Sequence, residues 1–192
     1  MNNLLVNIQP FKATLIESKT KPGVFEVVGV MQRAGAKNQN GRIYKREILE
    51  KEVQKYIDNF VKVGNAYGEL DHPESAIVSL KNASHVVKDL WWEGDDLMGR
   101  VELLNTPSGN IVKAIIEGGH TIGISSRGTG SVQQTNEGTL MVQDDFQLVC
   151  WDFVSNPSTD GAFMTPIRLN EGKQSINKYT KLDSIINNIL RV

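Results

Sequence analysis

The chain has 192 residues, a length that suits one domain of ordinary size with tails. Its apolar fraction of 40% can supply a core, and a formal net charge of −1 gives no overall attraction to nucleic acid or to a membrane surface. One cysteine excludes an internal disulfide, the first residues lack the pattern of a signal peptide, and no apolar run is long enough to cross a bilayer, so a soluble intracellular protein is expected.

FKATLIES and VFEVVGVMQ are rich in β-branched and aromatic residues and predict two strands around a Lys-Pro-Gly turn. RAGAKNQNGRIY is polar and contains Asn-Gly, which predicts a loop or broad turn. In KREILEKEVQKYIDNFVK, Leu49, Val53, Tyr56, Ile57 and Phe60 recur at helical spacing, and Gly64 is a suitable stop. GELDHP follows; its proline disfavours a helix at His72 and predicts an extended stretch.

SHVVKDLWW and LMGRVELL, with EGDD between them, predict a hairpin. TPSGNIVKAIIEGG predicts a short helix, with Thr106 as cap, Pro107 in the first turn and Gly118-Gly119 at the end. TIGISSRGTGSVQQ predicts a strand running into glycine-rich turns, and TLMVQDDFQLVCWDFVSNPS one or two more strands. From residue 164 the chain becomes polar and turn-rich, and KYTKLDSIINNILRV then carries Tyr179, Leu182, Ile186 and Ile189 on one helical stripe. The expected organisation is an α+β domain over 1–163, dominated by antiparallel strands, followed by a linker and amphipathic tail over 164–192.

Three segments can carry chemistry. Alternation along GISSRG puts Ile122, Ile124 and Ser126 on one face and Gly123, Ser125 and Arg127 on the other, where Gly123 leaves room beside the Ser125 hydroxyl. Gly128 and Gly130 let the following backbone turn its N–H groups toward an anion. A plain strand ending in a serine-glycine turn fits the same residues, and Arg127 breaks the G-x-S-x-G elbow of the α/β-hydrolases.

A serine nucleophile needs a base, and the chain has three histidines, His72, His85 and His120. His85 alternates with valines and His120 follows a helix end, so both read as structural, whereas His72 sits in a proline-fixed polar segment. Asp152 enters an apolar strand, on a face expected to hold Leu148, Cys150 and Val154. A carboxylate there must find a partner. That partner is a histidine ring in a catalytic reading, and a structural salt bridge or a capped turn in a plain one. Cys150 has no nearby cation to activate it and reads as core. No HxxxH or CxxC spacing and no phosphate-loop or dinucleotide fingerprint is present, so neither a metal nor a cofactor is expected.

GELDHP, DLWWEGDDLMGRV, GISSRGTGS and WDFVSNPS, in that order, resemble the prohead proteases of T-even-like tailed phages. The likeness runs from about Val24 to Pro166 and includes MQRAGAKNQNGRIYKREILEK. These are capsid-maturation serine proteases related in fold to the herpesvirus assemblins. The resemblance implies a mostly antiparallel, β-barrel-like core flanked by helices, and a serine endopeptidase with His72 as base and Ser125 as nucleophile. It leaves the third member less fixed, since assemblins use a second histidine and many relatives an acidic group on the last strand; here that strand offers Asp152. Arg127 and Gly128 would fall in the oxyanion region.

The resemblance further implies scaffold, core and major capsid proteins as substrates, action inside the prohead in the host cytoplasm, and assembly into a homo-oligomer, with no nucleic-acid or membrane partner. Cleavage would follow glutamate with an aliphatic residue two positions earlier. Leu169-Asn170-Glu171 meets that pattern in the polar linker and predicts self-cleavage after Glu171. The matches at Glu17, Glu50 and Glu117 fall in expected strand or helix. By charge alone, Arg127 and Arg33 are candidate readers of the substrate glutamate. A catalytically silent core protein of the same fold is the alternative reading.

Overall fold

The computed structural model describes residues 3–11, 14–17, 23–73, 75–136 and 138–155. The expected linker and tail over 164–192, including Glu171, lie outside the described residues. In chain order the elements are β1 (Asn3–Phe11), β2 (Thr14–Glu17), β3 (Phe25–Arg33), β4 (Arg42–Ile43), α1 (Arg46–Tyr56), β5 (Tyr67–Glu69), β6 (Ala83–Glu93), β7 (Asp96–Leu103), α2 (Pro107–Glu117), β8 (Ile122–Gly130), β9 (Val132–Gln134), β10 (Leu140–Val142) and β11 (Gln147–Val154).

The periodic segments form as their patterns predict. Leu49, Val53 and Tyr56 are the buried stripe of α1, which runs on through a π-helical turn (Ile57–Val61) to Gly64 in the left-handed region at φ 80°. The Thr106 hydroxyl caps α2 by accepting from the Gly109 N–H at 3.1 Å, and Pro107 occupies the first turn, where no donor is needed. β6 and β7 form the expected hairpin, tipped by Gly94 at φ 59°. Arg46 of α1 lies 3.6 Å over the Trp92 ring, pinning the helix to this hairpin.

β4, in the segment read as a loop or broad turn, β5, just before His72, and β1 were not expected as strands. NLLVNIQPF carries a proline and little alternation, yet it forms β1 by pairing antiparallel with β8 from Asn3↔Gly130 to Phe11↔Ile122. Pro10 is tolerated there because β1 is the edge of its sheet. The strand expected over 11–18 is accordingly divided between the end of β1 and β2.

The strands form three sheets, ordered β2-β3-β7-β6-β5, β1-β8-β11 and β4-β10-β9. Among the described residues they do not close into the expected barrel. The seam between β5 and β11 shows why. Leu70 makes one isolated parallel bridge to Phe153, and the Asp71 N–H donates to the Phe153 carbonyl at 2.8 Å. The Glu69 N–H, which a ladder would give to a backbone carbonyl, goes at 3.0 Å to the side chain of Asp152.

Gly68 permits the approach: a Cβ there would stand 2.0 Å from the Trp151 carbonyl oxygen and 2.3 Å from His85 Nε2. A core including Val27, Met31, Leu49, Tyr56, Leu97, Val101, Ile124, Trp151 and Phe153 fills the space between the sheets and α1. No helix among the described residues is long and apolar enough to cross a membrane.

Candidate active site

β8 and β11 bring the first two candidate residues together through register alone. Ser125 and Asp152 are direct partners in this antiparallel ladder, so their side chains leave the same face of the sheet. Arg127 is opposite Cys150 on that face, two residues along. The register shifts between Leu148 and Cys150, with Val149 absorbed as a bulge. Leu148 consequently pairs with Gly128 and joins the Trp151 face instead of the Asp152 face that strict alternation predicts. The bulge thus separates a greasy side chain from the charged site.

His72 arrives from the seam. Asp71 is the only described non-glycine residue at positive φ, 64°, a conformation aspartate tolerates better than most side chains. Its N–H is tied to β11, its side chain is exposed, and the next residue carries its ring over the sheet. His72 Nδ1 lies 2.9 Å from Asp152 Oδ2, and His72 Nε2 lies 3.3 Å from Ser125 Oγ. Ser125 and Asp152 have no exposed surface, while the His72 side chain keeps 18% of its own. The room expected beside Ser125 is therefore occupied, and its hydroxyl faces the imidazole.

Asp152 is saturated with donors. Oδ1 accepts from the Glu69 N–H at 3.0 Å, from Arg127 Nη2 at 3.2 Å and from the Cys150 thiol at 3.4 Å. Oδ2 faces His72 and makes an ion-pair contact with Arg127 Nε at 3.0 Å, off the line of a straight hydrogen bond. Burial by itself pushes this carboxyl up. The hydrogen bond from His72, the Arg127 charge and the Glu69 N–H together outweigh it and hold the group below the usual aspartate value.

Arg127 and Gly128 do not take up the geometry expected of an oxyanion region. The guanidinium is fully buried and spends its donors on Ser75 O at 2.6 Å, Glu69 Oε1 at 2.8 Å, Cys150 Sγ at 3.1 Å and Asp152. β8 runs straight through Gly128 and Gly130, so the predicted turn is absent. A Cβ at Gly128 would lie 2.5 Å from the Phe146 ring, and one at Gly130 2.9 Å from Phe146 Cα. Both glycines make room for a neighbouring chain. Neither candidate reader of a substrate charge is a free cation, because Arg33 pairs with Asp96, with Nη2–Oδ2 at 2.9 Å.

The remaining candidates keep to structural positions. His85 is buried edge-on to Phe153, with Nδ1 2.8 Å from Ser84 Oγ, and burial pushes its pKa down to about 4. His120 is exposed beyond α2. Burial and the Asp152 charge push the Cys150 thiol up, the opposite of what a nucleophile needs. No cluster of metal-binding side chains occurs among the described residues.

Glu69 is the residue that sequence reasoning passed over. Its carboxylate is buried and bridges Arg127 and the Ser79 N–H at 2.8 and 3.0 Å. A signal was present: a strand with an arginine among apolar residues must bury a cation, and one buried aspartate leaves no charge for a histidine to balance.

The chain is similar to known proteins in both sequence and structure. A family model described as prohead core protein serine protease matches residues 8–174. Over 156 residues the chain is 38% identical to the prohead core protein protease of Enterobacteria phage T4, covering 80% of this chain and 73% of that protein. The structure of the bacteriophage T4 capsid assembly protease matches with a TM-score of 0.76 at 34% identity, over 81% of this chain and 99% of that one. The chain belongs to the prohead core protein serine protease family.

Proposed function

We propose that this chain is a serine endopeptidase that cleaves scaffold, core and major capsid proteins inside the phage prohead during capsid maturation. One observation carries the reading: Ser125 Oγ, the His72 ring and the Asp152 carboxylate form a continuous line at 3.3 and 2.9 Å. With Nδ1–H donating to Asp152, Nε2 is the free acceptor for the serine proton. Ser125 Oγ attacks the peptide carbonyl as Nε2 takes that proton, and the same nitrogen then returns it to the leaving amine. Asp152 keeps the ring in the useful tautomer and stabilises the imidazolium. Water repeats the sequence to release the acyl group.

The cut falls after glutamate with an aliphatic residue two positions earlier. Within this chain Glu171 is the preferred point. The matching bonds after Glu17, Glu50 and Glu117 end β2, lie within α1 and end α2, where the backbone is held in regular structure. Cutting at Glu171 would detach residues 172–192 and leave the protease domain.

A second reading, a silent structural protein of the prohead core, draws on the absence of exposed surface at Ser125. One experiment separates the two. A fluorogenic peptide ending its recognition segment in Leu-x-Glu is offered to wild type and Ser125→Ala, free and in assembled proheads, while mass spectrometry follows the chain itself. Turnover and a product ending at Glu171 should appear in wild type, and Ser125→Ala should lose about a millionfold in rate. No turnover in either setting would favour the structural reading, and equal trimming in both proteins would remove self-cleavage.

A further inference from the structure

The charges around Asp152 do more than neutralise it. Arg127 and Glu69 are both fully buried, 2.8 Å apart, and belong to different sheets, β8 and β5. Each also holds the segment that carries His72. Arg127 Nη1 donates to the Ser75 carbonyl at 2.6 Å, and Glu69 Oε1 accepts from the Ser79 N–H at 3.0 Å. The chain from Glu69 to Ser79 is thereby closed into a loop whose base is this one ion pair.

We propose that Arg127 and Glu69 are positioning residues for catalysis, holding the Asp152 carboxylate and the loop of His72 in the one arrangement that aims the imidazole at Ser125. The inference rests on Ser125 being the nucleophile. Its physical basis is that His72 has no ladder of its own. Its ring is oriented by Asp152, and Asp152 is oriented by the Arg127 Nη2 hydrogen bond, the Arg127 Nε ion-pair contact and the Glu69 N–H.

The charge balance follows from the same contacts. One cation, Arg127, faces two carboxylates, Glu69 and Asp152. That leaves one negative charge for an imidazolium to offset when Nε2 accepts the serine proton. The other titratable groups packed against Asp152 are Cys150 on β11, His85 on β6 and Tyr56 on α1. Burial raises the first, lowers the second to about 4 and raises the third, so all three are uncharged at neutral pH. Arg127 and Glu69 therefore set the field felt by the His72–Asp152 couple, and with opposite signs.

The test uses the full-length chain as wild type, Arg127→Gln, Arg127→Lys and Glu69→Gln. It reads the rate of Ser125 labelling by a fluorophosphonate across the acid and neutral pH range. Losing the cation makes the His72–Asp152 couple bind its proton more tightly, so the acid limb should move up by about one pH unit in Arg127→Gln. Losing the carboxylate should move it down in Glu69→Gln. Arg127→Lys keeps the charge but not the fork, so the limb should stay in place while the rate falls about tenfold. A purely structural role would lower rates without moving the limbs in opposite directions.

Limbs that stay put, or move together, in the two charge-removing variants overturn the proposal. Should a single variant fail to fold, the double variant Glu69→Gln/Arg127→Gln replaces the pair as a unit. Its limb should rise, because Arg127 touches Asp152 directly, and an unmoved limb there is equally decisive against it. Failure of wild type to label, or labelling kept in Ser125→Ala, removes the nucleophile reading and this inference with it. Labelling confined to Ser125 with unmoved limbs removes the inference alone.

Discussion

Two parts of the molecule hold the candidate triad in different ways. Ser125 and Asp152 sit opposite each other in a continuous antiparallel ladder, flanked by β1 on the other side of β8. Their separation is a property of the backbone and would survive the loss of almost any one side chain. His72 lies in an irregular segment secured by one isolated bridge at Leu70, backbone hydrogen bonds at Leu70 and Asp71, and the buried side chains of Arg127 and Glu69. The candidate nucleophile is fixed by register, and the candidate base by side-chain contacts. Damage to the seam should therefore harm catalysis well before it harms the fold.

Substitutions can break or sharpen that contrast. The largest effect after loss of Ser125 is expected from Asp152→Asn, about ten-thousandfold in turnover, because the amide no longer holds the ring in the useful tautomer. Steady-state kinetics on the Leu-x-Glu peptide measures it. The same variant tests the electrostatics. A carboxyl held below its unfolded value of about 3.9 contributes stability above that pH and loses it as pH falls through the folded value. Wild type should thus lose stability in acid by a component missing from Asp152→Asn, visible as a flatter dependence of melting temperature on pH. An identical slope in both proteins would mean that Asp152 carries no such depressed pKa.

Gly68→Ala attacks the seam while leaving the ladder alone. The added methyl must push β5 away from the Trp151 carbonyl, which carries His72 out of line. Turnover should fall about a hundredfold, and stability by about 1–3 kcal/mol. If chemical denaturation shows a large loss while turnover per folded molecule is intact, His72 is held by something other than this approach.

Asp71→Gly should change turnover by less than about threefold and should not destabilise the loop. It removes a carboxylate that points to solvent and relieves a left-handed backbone that glycine accepts freely. A loss comparable to that of Asp152→Asn would mean that Asp71, too, acts on His72. The smallest effect on turnover belongs to the start of α2. Thr106→Ala removes the α2 cap and the 2.6 Å hydrogen bond its hydroxyl donates to the Ala83 carbonyl, costing about 1–2 kcal/mol in denaturation with turnover unchanged.

Much of this could be read from local pattern. The stripe of Leu49, Val53 and Tyr56, the Thr106-Pro107 start of α2 and the β6–β7 hairpin each depend on neighbours within a few residues, and each formed as expected. His72, Ser125 and Asp152 were nameable because a proline-fixed histidine, a serine in a glycine-flanked strand and an aspartate in an apolar strand are individually unusual. β1 was missed because its strand character comes from pairing with β8, more than a hundred residues away in the chain, and not from its own composition.

The sequence by itself determined α1 and α2, the β6–β7 hairpin, the strand carrying Ser125 and the family motifs, since these depend on short-range sterics and on residue order. Only the tertiary structure decided the rest. It made the Val149 bulge that takes Leu148 off the Asp152 face, turned Gly128 from a turn residue into a seat for Phe146, and paired Arg127 with Asp152. It also recruited Glu69, whose carboxylate has meaning only beside a cation 58 positions along the chain. A buried charge must be balanced in space, and the partner that balances it is set by which strands meet, not by what stands next to it in the sequence.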